Sequence, residues 1–183
     1  MTTAFPTTTP LLGIYLNDHL AGAVGGGDLA ERLADAEATW VDGDVLAAIA
    51  AEVEEDRSAL ISIMAALGVP VRRYKMVAAW AAEKAARLKP NGRIFARSPL
   101  SRVIELEVLR LGVEGKAAGW RTLRTLADTD PRLDAAQLDE LIDRARKQID
   151  QLERLRVQAT ADAFGGSAGS VEPVANPDAE DVP

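Results

Sequence analysis

The sequence contains no cysteine, a single histidine and only 4% aromatic residues in 183 positions. Without cysteine there is no disulfide framework, thiolate zinc site, iron–sulfur cluster or cysteine nucleophile, and no sign of an oxidising compartment. A lone His19 argues against a Ser-His-Asp triad and against a multi-histidine metal site. Long hydrophobic runs are missing too: none approaches the roughly 18 residues that a membrane-spanning helix needs. The opening MTTAFPTTTP lacks the charged and apolar regions of a signal peptide. These absences set the expectation of a soluble cytoplasmic protein. No triad, P-loop or dinucleotide fingerprint points to a substrate.

What is present is alanine-rich. Hydrophobic residues make up 48% of the chain, enough for one domain's core, and small apolar side chains suit closely packed helices. No segment has the period-2 alternation or β-branched enrichment of a strand, so an all-α fold is expected. The net charge of -7 conceals opposed blocks. Residues 28–56 hold ten acids and one base, residues 72–102 hold nine bases and one acid, and the tail after Phe164 holds four acids and no base. Either the two blocks screen each other in the fold, or the basic block faces an anionic partner.

Caps and breakers predict helices at about 10–38, 44–67, 70–89, 98–127 and 134–163. Thr9-Pro10 and Ser98-Pro99 each pair a capping side chain with a proline suited to the first helical turn. Gly68 reads as a C-cap, and Asp134 with Gln137 has capping-box spacing. Residues 1–9 are expected to be flexible, and the Gly/Ser/Pro-rich acidic stretch 164–183 to be disordered. Short connections make the first two helices one antiparallel hairpin and the last two another. The long stretch between them can cross the bundle, which predicts a ferritin-like four-helix bundle with an extra helix in the crossover.

Polar residues interrupt the apolar stripes. The second helix gives Leu46, Ile49, Val53, Asp56, Leu60, Ile63 and Leu67, with Glu52 one turn before Asp56. The helix at 98–127 gives Leu100, Ile104, Glu107, Leu111, Glu114, Ala118 and Arg121, and the last gives Leu138, Leu141, Ala145, Gln148, Leu152, Leu155 and Ala159. The first gives Leu12, Leu16, His19, Ala23, Gly26, Ala30 and Leu33. Counting depth along the helices, Glu52, Asp56, Glu107, Glu114 and Gln148 converge in mid-bundle, while His19 lies deeper, near Arg144 and Arg121. Those five are the candidate ligands of a divalent ion such as Mn, Mg or Fe. A redox di-iron site is not expected, because the paired Glu-x-x-His motifs of di-metal bundles are missing. The competing reading pairs the carboxylates with Arg57, Lys116, Arg121 or Arg144 in a structural network. Buried carboxylates need one or the other, because an unpaired buried charge costs several kcal/mol.

Glycines are also concentrated: Gly22, Gly25, Gly26 and Gly27 in the first helix, and Gly112, Gly115 and Gly119 in the fourth. The first expectation is close backbone approach between helices or between protomers; the alternative is room for a ligand beside the carboxylates. In the basic crossover, Arg72, Arg73, Lys84, Arg87 and Arg93 are the candidate anion-binding residues, for nucleic acid or lipid.

The strings LGIYLNDHLAG (12–22), EVEEDRSALISIMAALGV (52–69) and SPLSRVIELEVLRLGVEGK (98–116) resemble a group of uncharacterised actinobacterial helical-bundle proteins. More remotely, the helix order and the acidic second helix resemble ferritin-like, stress-associated bundles. The resemblance covers about residues 11–160 and implies a fold without an established activity. The leading expectation is a non-enzymatic structural or stress-associated bundle, self-associating and without cofactor. A divalent-metal-binding bundle, for storage or metal-dependent catalysis, and an anion-binding module are the alternatives.

Overall fold

Each helix starts where local chemistry can satisfy its free backbone N–H groups. In the computed structural model, which describes residues 9–72 and 98–165, α1 spans Pro10–Ala36 and α2 spans Gly43–Ala66. Two more helices follow, α3 over Pro99–Ala127 and α4 over Ala135–Phe164. The Thr9 hydroxyl accepts the Leu12 N–H at 3.3 Å, and Ser98 does the same for Leu100 at 3.3 Å. The Asp134 carboxylate accepts the N–H groups of Ala136 and Gln137. At the α1–α2 corner the backbone turns so tightly that a Cβ on Gly43 would stand 2.6 Å from the Glu37 carbonyl oxygen. Gly68 closes α2 with φ of 70°, a conformation that favours glycine. There the N–H groups of Gly68 and Val69 reach back to Ala65 and Met64.

The helix expected at about 70–89 falls mostly outside the described residues. Its first three residues, Pro70, Val71 and Arg72, are not helical. They are tied to α1 instead: Asn17 donates to the Pro70 carbonyl at 3.1 Å and accepts the Arg72 N–H at 2.7 Å. Asn17 is itself buried, so this junction satisfies a polar side chain that would otherwise be costly. The expected tail beyond Gly165 and residues 1–8 also lie outside the described residues.

The described residues are all-helical, with no strand. Cross-helix contacts fix the directions. The Tyr15 and Thr122 hydroxyls lie 3.1 Å apart and Arg102 meets Glu37 at 2.6 Å, so α1 and α3 are antiparallel. Arg144 meets Glu55 at 2.7 Å, and Trp40 donates to Asp162 at 3.2 Å, so α2 and α4 are antiparallel. Arg132, just beyond α3, donates to the Leu67 carbonyl at the end of α2 at 3.2 Å. Leu67 and Ser98 therefore stand at opposite ends of the bundle, with α2 and α3 parallel. The α1–α2 and α3–α4 pairs pack most closely, α1 with α3 less so, and α2 with α4 only sparsely.

The stripes expected for α2 and α4 are the buried ones, Asp56 and Gln148 included. For α3 the expected stripe is wrong. The buried face is Val103, Leu106, Leu109, Val113, Ala117, Trp120 and Leu123. Leu100, Ile104 and Leu111 are 46%, 49% and 66% exposed. This helix carries two apolar stripes rotated against each other, and the one free of charge goes inside because burying Glu107 and Glu114 would cost more than exposing three aliphatics. No helix among the described residues is long and apolar enough to cross a membrane.

Candidate functional site

Two constellations occupy the middle of the bundle. In the first, Asp56 on α2 has a fully buried side chain and forms an ion pair with the Lys116 ammonium from α3. Lys116 also donates to Gln148 Oε1 at 2.6 Å, and Gln148 Nε2 donates to Glu52 at 2.8 Å. Arg144 adds a second cation, with Nε 3.5 Å from the other oxygen of Asp56. Burial pushes the Lys116 amine below the ordinary lysine range, against the upward pull of Asp56. The network joins α2, α3 and α4, but among the described residues it leaves Asp56 Oδ1 buried without a hydrogen bond, with only the Arg144 guanidinium beside it.

This arrangement brings Glu52, Asp56 and Gln148 together and leaves Glu107 and Glu114 out. Glu107 is about half exposed, 3.8 Å from Arg156, and Glu114 lies 3.8 Å from Arg110 on the same helix. Both follow from the rotated register of α3, which turns these carboxylates outward and carries Lys116 inward. The donor set does not fit a divalent ion, because the ammonium of Lys116 and the guanidinium of Arg144 already hold the Asp56 carboxylate. Among the described residues no group of three or more His, Cys, Asp or Glu side chains is placed to hold a metal. Of the anion-binding candidates, Arg72 is exposed with its N–H on Asn17, and Arg73, Lys84, Arg87 and Arg93 lie outside the described residues.

The second constellation is a cavity of about 490 Å³ between α1, α2 and α3. Glycines make it. Gly22 and Gly26 line it from α1, and Gly112, Gly115 and Gly119 from α3. A Cβ added at Gly22, Gly26, Gly112 or Gly115 would meet nothing within 4 Å. These four glycines therefore border open space, and the expectation of close backbone approach fails for them. Only Gly119 is in tight contact, with a built Cβ 3.1 Å from the His19 ring. Leu16, Val53, Leu60, Leu109, Val113 and Leu123 supply apolar wall, and Asp56 and Lys116 reach the same space.

His19 packs beside Gly119 of α3, two residues from Arg121, and its helix makes no contact with α4, which carries Arg144. The His19 ring stands edge-on to Tyr15 at 4.4 Å between centroids, on the cavity wall beside Gly119. Burial pushes its pKa below the ordinary histidine value, partly opposed by Asp18, so the ring is neutral at neutral pH. Trp120 also lines the cavity, and its indole N–H is buried with no acceptor among the described residues. Sequence reasoning missed Trp120 because its helix register was misplaced; the glycine concentration was the signal that located the cavity.

No protein-family model, curated protein or solved structure matches the chain, so its function is argued from this geometry.

Proposed function

We propose that the protein is a non-enzymatic bundle of ferritin-like topology that binds a small, largely apolar molecule in the glycine-framed cavity. The observation that carries this is the open space at Gly22, Gly26, Gly112 and Gly115. Four interior helical glycines cost about 0.8–1 kcal/mol each against alanine, and alanine would fit at all four. A cavity of this volume is within the range of small-molecule sites, about 300–1,000 Å³. The Lys116–Asp56 network, in this reading, sets helix register and closes the cavity floor. Two hairpins with a connection that runs from one bundle end to the other support the ferritin-like assignment.

Titration with N-phenyl-1-naphthylamine, a neutral apolar fluorophore, tests the proposal. Saturable enhancement at one site per chain is expected, with loss in Gly22→Leu and Gly112→Leu, whose side chains fill the space. Absence of saturable binding, or equal binding by both variants, overturns it. Self-association belongs to the same proposal: Leu100, Ile104, Val108 and Leu111 form one exposed aliphatic stripe on α3. Sedimentation velocity of the wild type against Ile104→Glu/Leu111→Glu decides that part.

A further inference from the structure

We infer that the outer side of α1, whatever the cavity holds, is the docking surface of the chain's own residues 73–97, the basic segment that lies outside the described residues. Among the described helices only α2 and α3 pack against α1. Tyr15, His19, Gly22 and Gly26 turn toward α3, and Val24, Gly27 and Glu31 border the groove against α2. Helical spacing leaves Ile14, Ala21, Gly25 and Arg32 on the remaining side, flanked by Asp18 and Asp28. A side with no helix against it should be open to water along its length. Ile14 is 39% exposed, but Ala21, Gly25, Asp28 and Arg32 are half-buried, and Nη1 of Arg32 is shut off from water. The helix does not shield itself there, because residues 21–27 are alanine, glycine and one valine. Another part of the chain covers this side.

Residues 73–97 begin and end where such a cover must. Asn17 holds the Pro70 carbonyl and the Arg72 N–H, so the chain has already crossed from α2 onto α1. Arg102 meets Glu37, so Ser98, one turn earlier, stands near the far end of α1. Twenty residues separate Asn17 from Glu37, a length of about 30 Å. The helix expected to end at residue 89 supplies about 25 Å of that path, and eight residues remain to reach Ser98. Charge agrees with length. Residues 73–97 hold seven bases and one acid, and α1 beyond Asn17 holds Asp18, Asp28, Glu31 and Asp35 against Arg32. At helical spacing Tyr74, Val77, Ala81, Ala85 and Leu88 fall on one side, and the alanines among them suit close approach to Ala21 and Gly25. Docking there sets the basic block against the chain's own acids, in place of an outside anionic partner.

The absence of cysteine makes disulfide trapping in the full chain a direct test. Gly25→Cys is combined in turn with Ala78→Cys, Ala81→Cys and Ala85→Cys, and each pair is oxidised with glutathione disulfide. At least one pair should close within the chain roughly tenfold or more faster than the control Ala81→Cys/Lys147→Cys, whose second site is exposed on α4. Zero-length carbodiimide coupling of the wild-type protein gives a second reading that needs no substitution. Lys75, Lys84 or Lys89 should join Asp18, Asp28, Glu31 or Asp35 of the same chain, as read by mass spectrometry of mixed isotope-labelled and unlabelled protein. The inference is overturned if no pair closes faster than the control, or if these lysines link chiefly to acids elsewhere or to none. Links chiefly between chains overturn it as well and give the face to a second copy. If the cysteine variants do not fold, the carbodiimide links of the wild type decide.

Discussion

Replacing the glycines that frame the cavity with alanine should make the bundle more stable. Gly22, Gly26, Gly112 and Gly115 all lie inside helices, and a Cβ at each finds no neighbour within 4 Å. No clash then opposes the intrinsic gain of about 0.8–1 kcal/mol that alanine has over glycine in a helix interior. Allowing for partial coupling between the members of each pair, the quadruple variant should gain about 2–4 kcal/mol. For a chain of this length that corresponds to a rise in Tm of roughly 4–16 °C. Gly119→Ala is the internal control. There the Cβ would press on the His19 ring at 3.1 Å, and Tyr15 limits how far the ring can yield, so the gain should vanish or reverse. Urea unfolding followed by circular dichroism measures both, and the same proteins titrated with N-phenyl-1-naphthylamine should show weaker binding as the methyl groups enter the cavity. If Gly22→Ala and Gly112→Ala each destabilise by more than about 1 kcal/mol, the glycines serve close helix contact and the reasoning fails.

Lys116→Met should cost about 3–5 kcal/mol, because it strands the buried Asp56 carboxylate, and adding Asp56→Leu should recover most of that loss; independent, additive effects in urea melts would contradict the pairing. His19 titrates below its unfolded value of 6.5, so as pH falls through 6.5 the unfolded chain takes up its proton first and folded stability drops. His19→Gln should therefore lose less stability than wild type between about pH 7.5 and about pH 5.5, and an identical loss would count against the buried neutral ring. Leu106→Ala should cost about 2–5 kcal/mol whereas Leu111→Ala changes stability by less than about 0.5 kcal/mol; the opposite order would restore the other register of α3.

How much of this was legible in the sequence differs from helix to helix. In α2 and α4 a single apolar stripe exists, so 3.6 periodicity alone identifies the buried face and places Asp56 and Gln148 on it. In α3, Leu100, Ile104 and Leu111, interrupted by Glu107 and Glu114, compete with Val103, Leu106, Leu109 and Val113, and periodicity alone does not rank the two stripes although charge does. Continuing each stripe to the helix end also ranks them, since one runs into Trp120 and Leu123 and the other into Arg121. The misplaced register also explains why Glu107 and Glu114 were expected inside. Lys116 was among the considered partners of the carboxylates, but only tertiary packing shows that it is the cation Asp56 meets. The glycines announced an unusual surface on α1 and α3, and whether that surface is closed or open depends on interhelical spacing, which no sequence pattern encodes.

The weak seam between the two hairpins bears on how the molecule comes apart. Each hairpin is held along its own length, whereas the two are joined through an α1–α3 face thinned by glycine and a sparse α2–α4 face. Partial opening should thus separate hairpin from hairpin before either frays, and slow amide exchange should divide into two blocks along that line. Asp56 meeting Lys116 and Gln148 is the most buried of the polar latches across the divide, which also include Arg102–Glu37, Trp40–Asp162 and Arg144–Glu55. A molecule lodged in the cavity would touch α1 and α2 from one half and α3 from the other, acting as mortar between them. Occupancy would then be read as slower exchange across both halves, far from any atom the ligand touches.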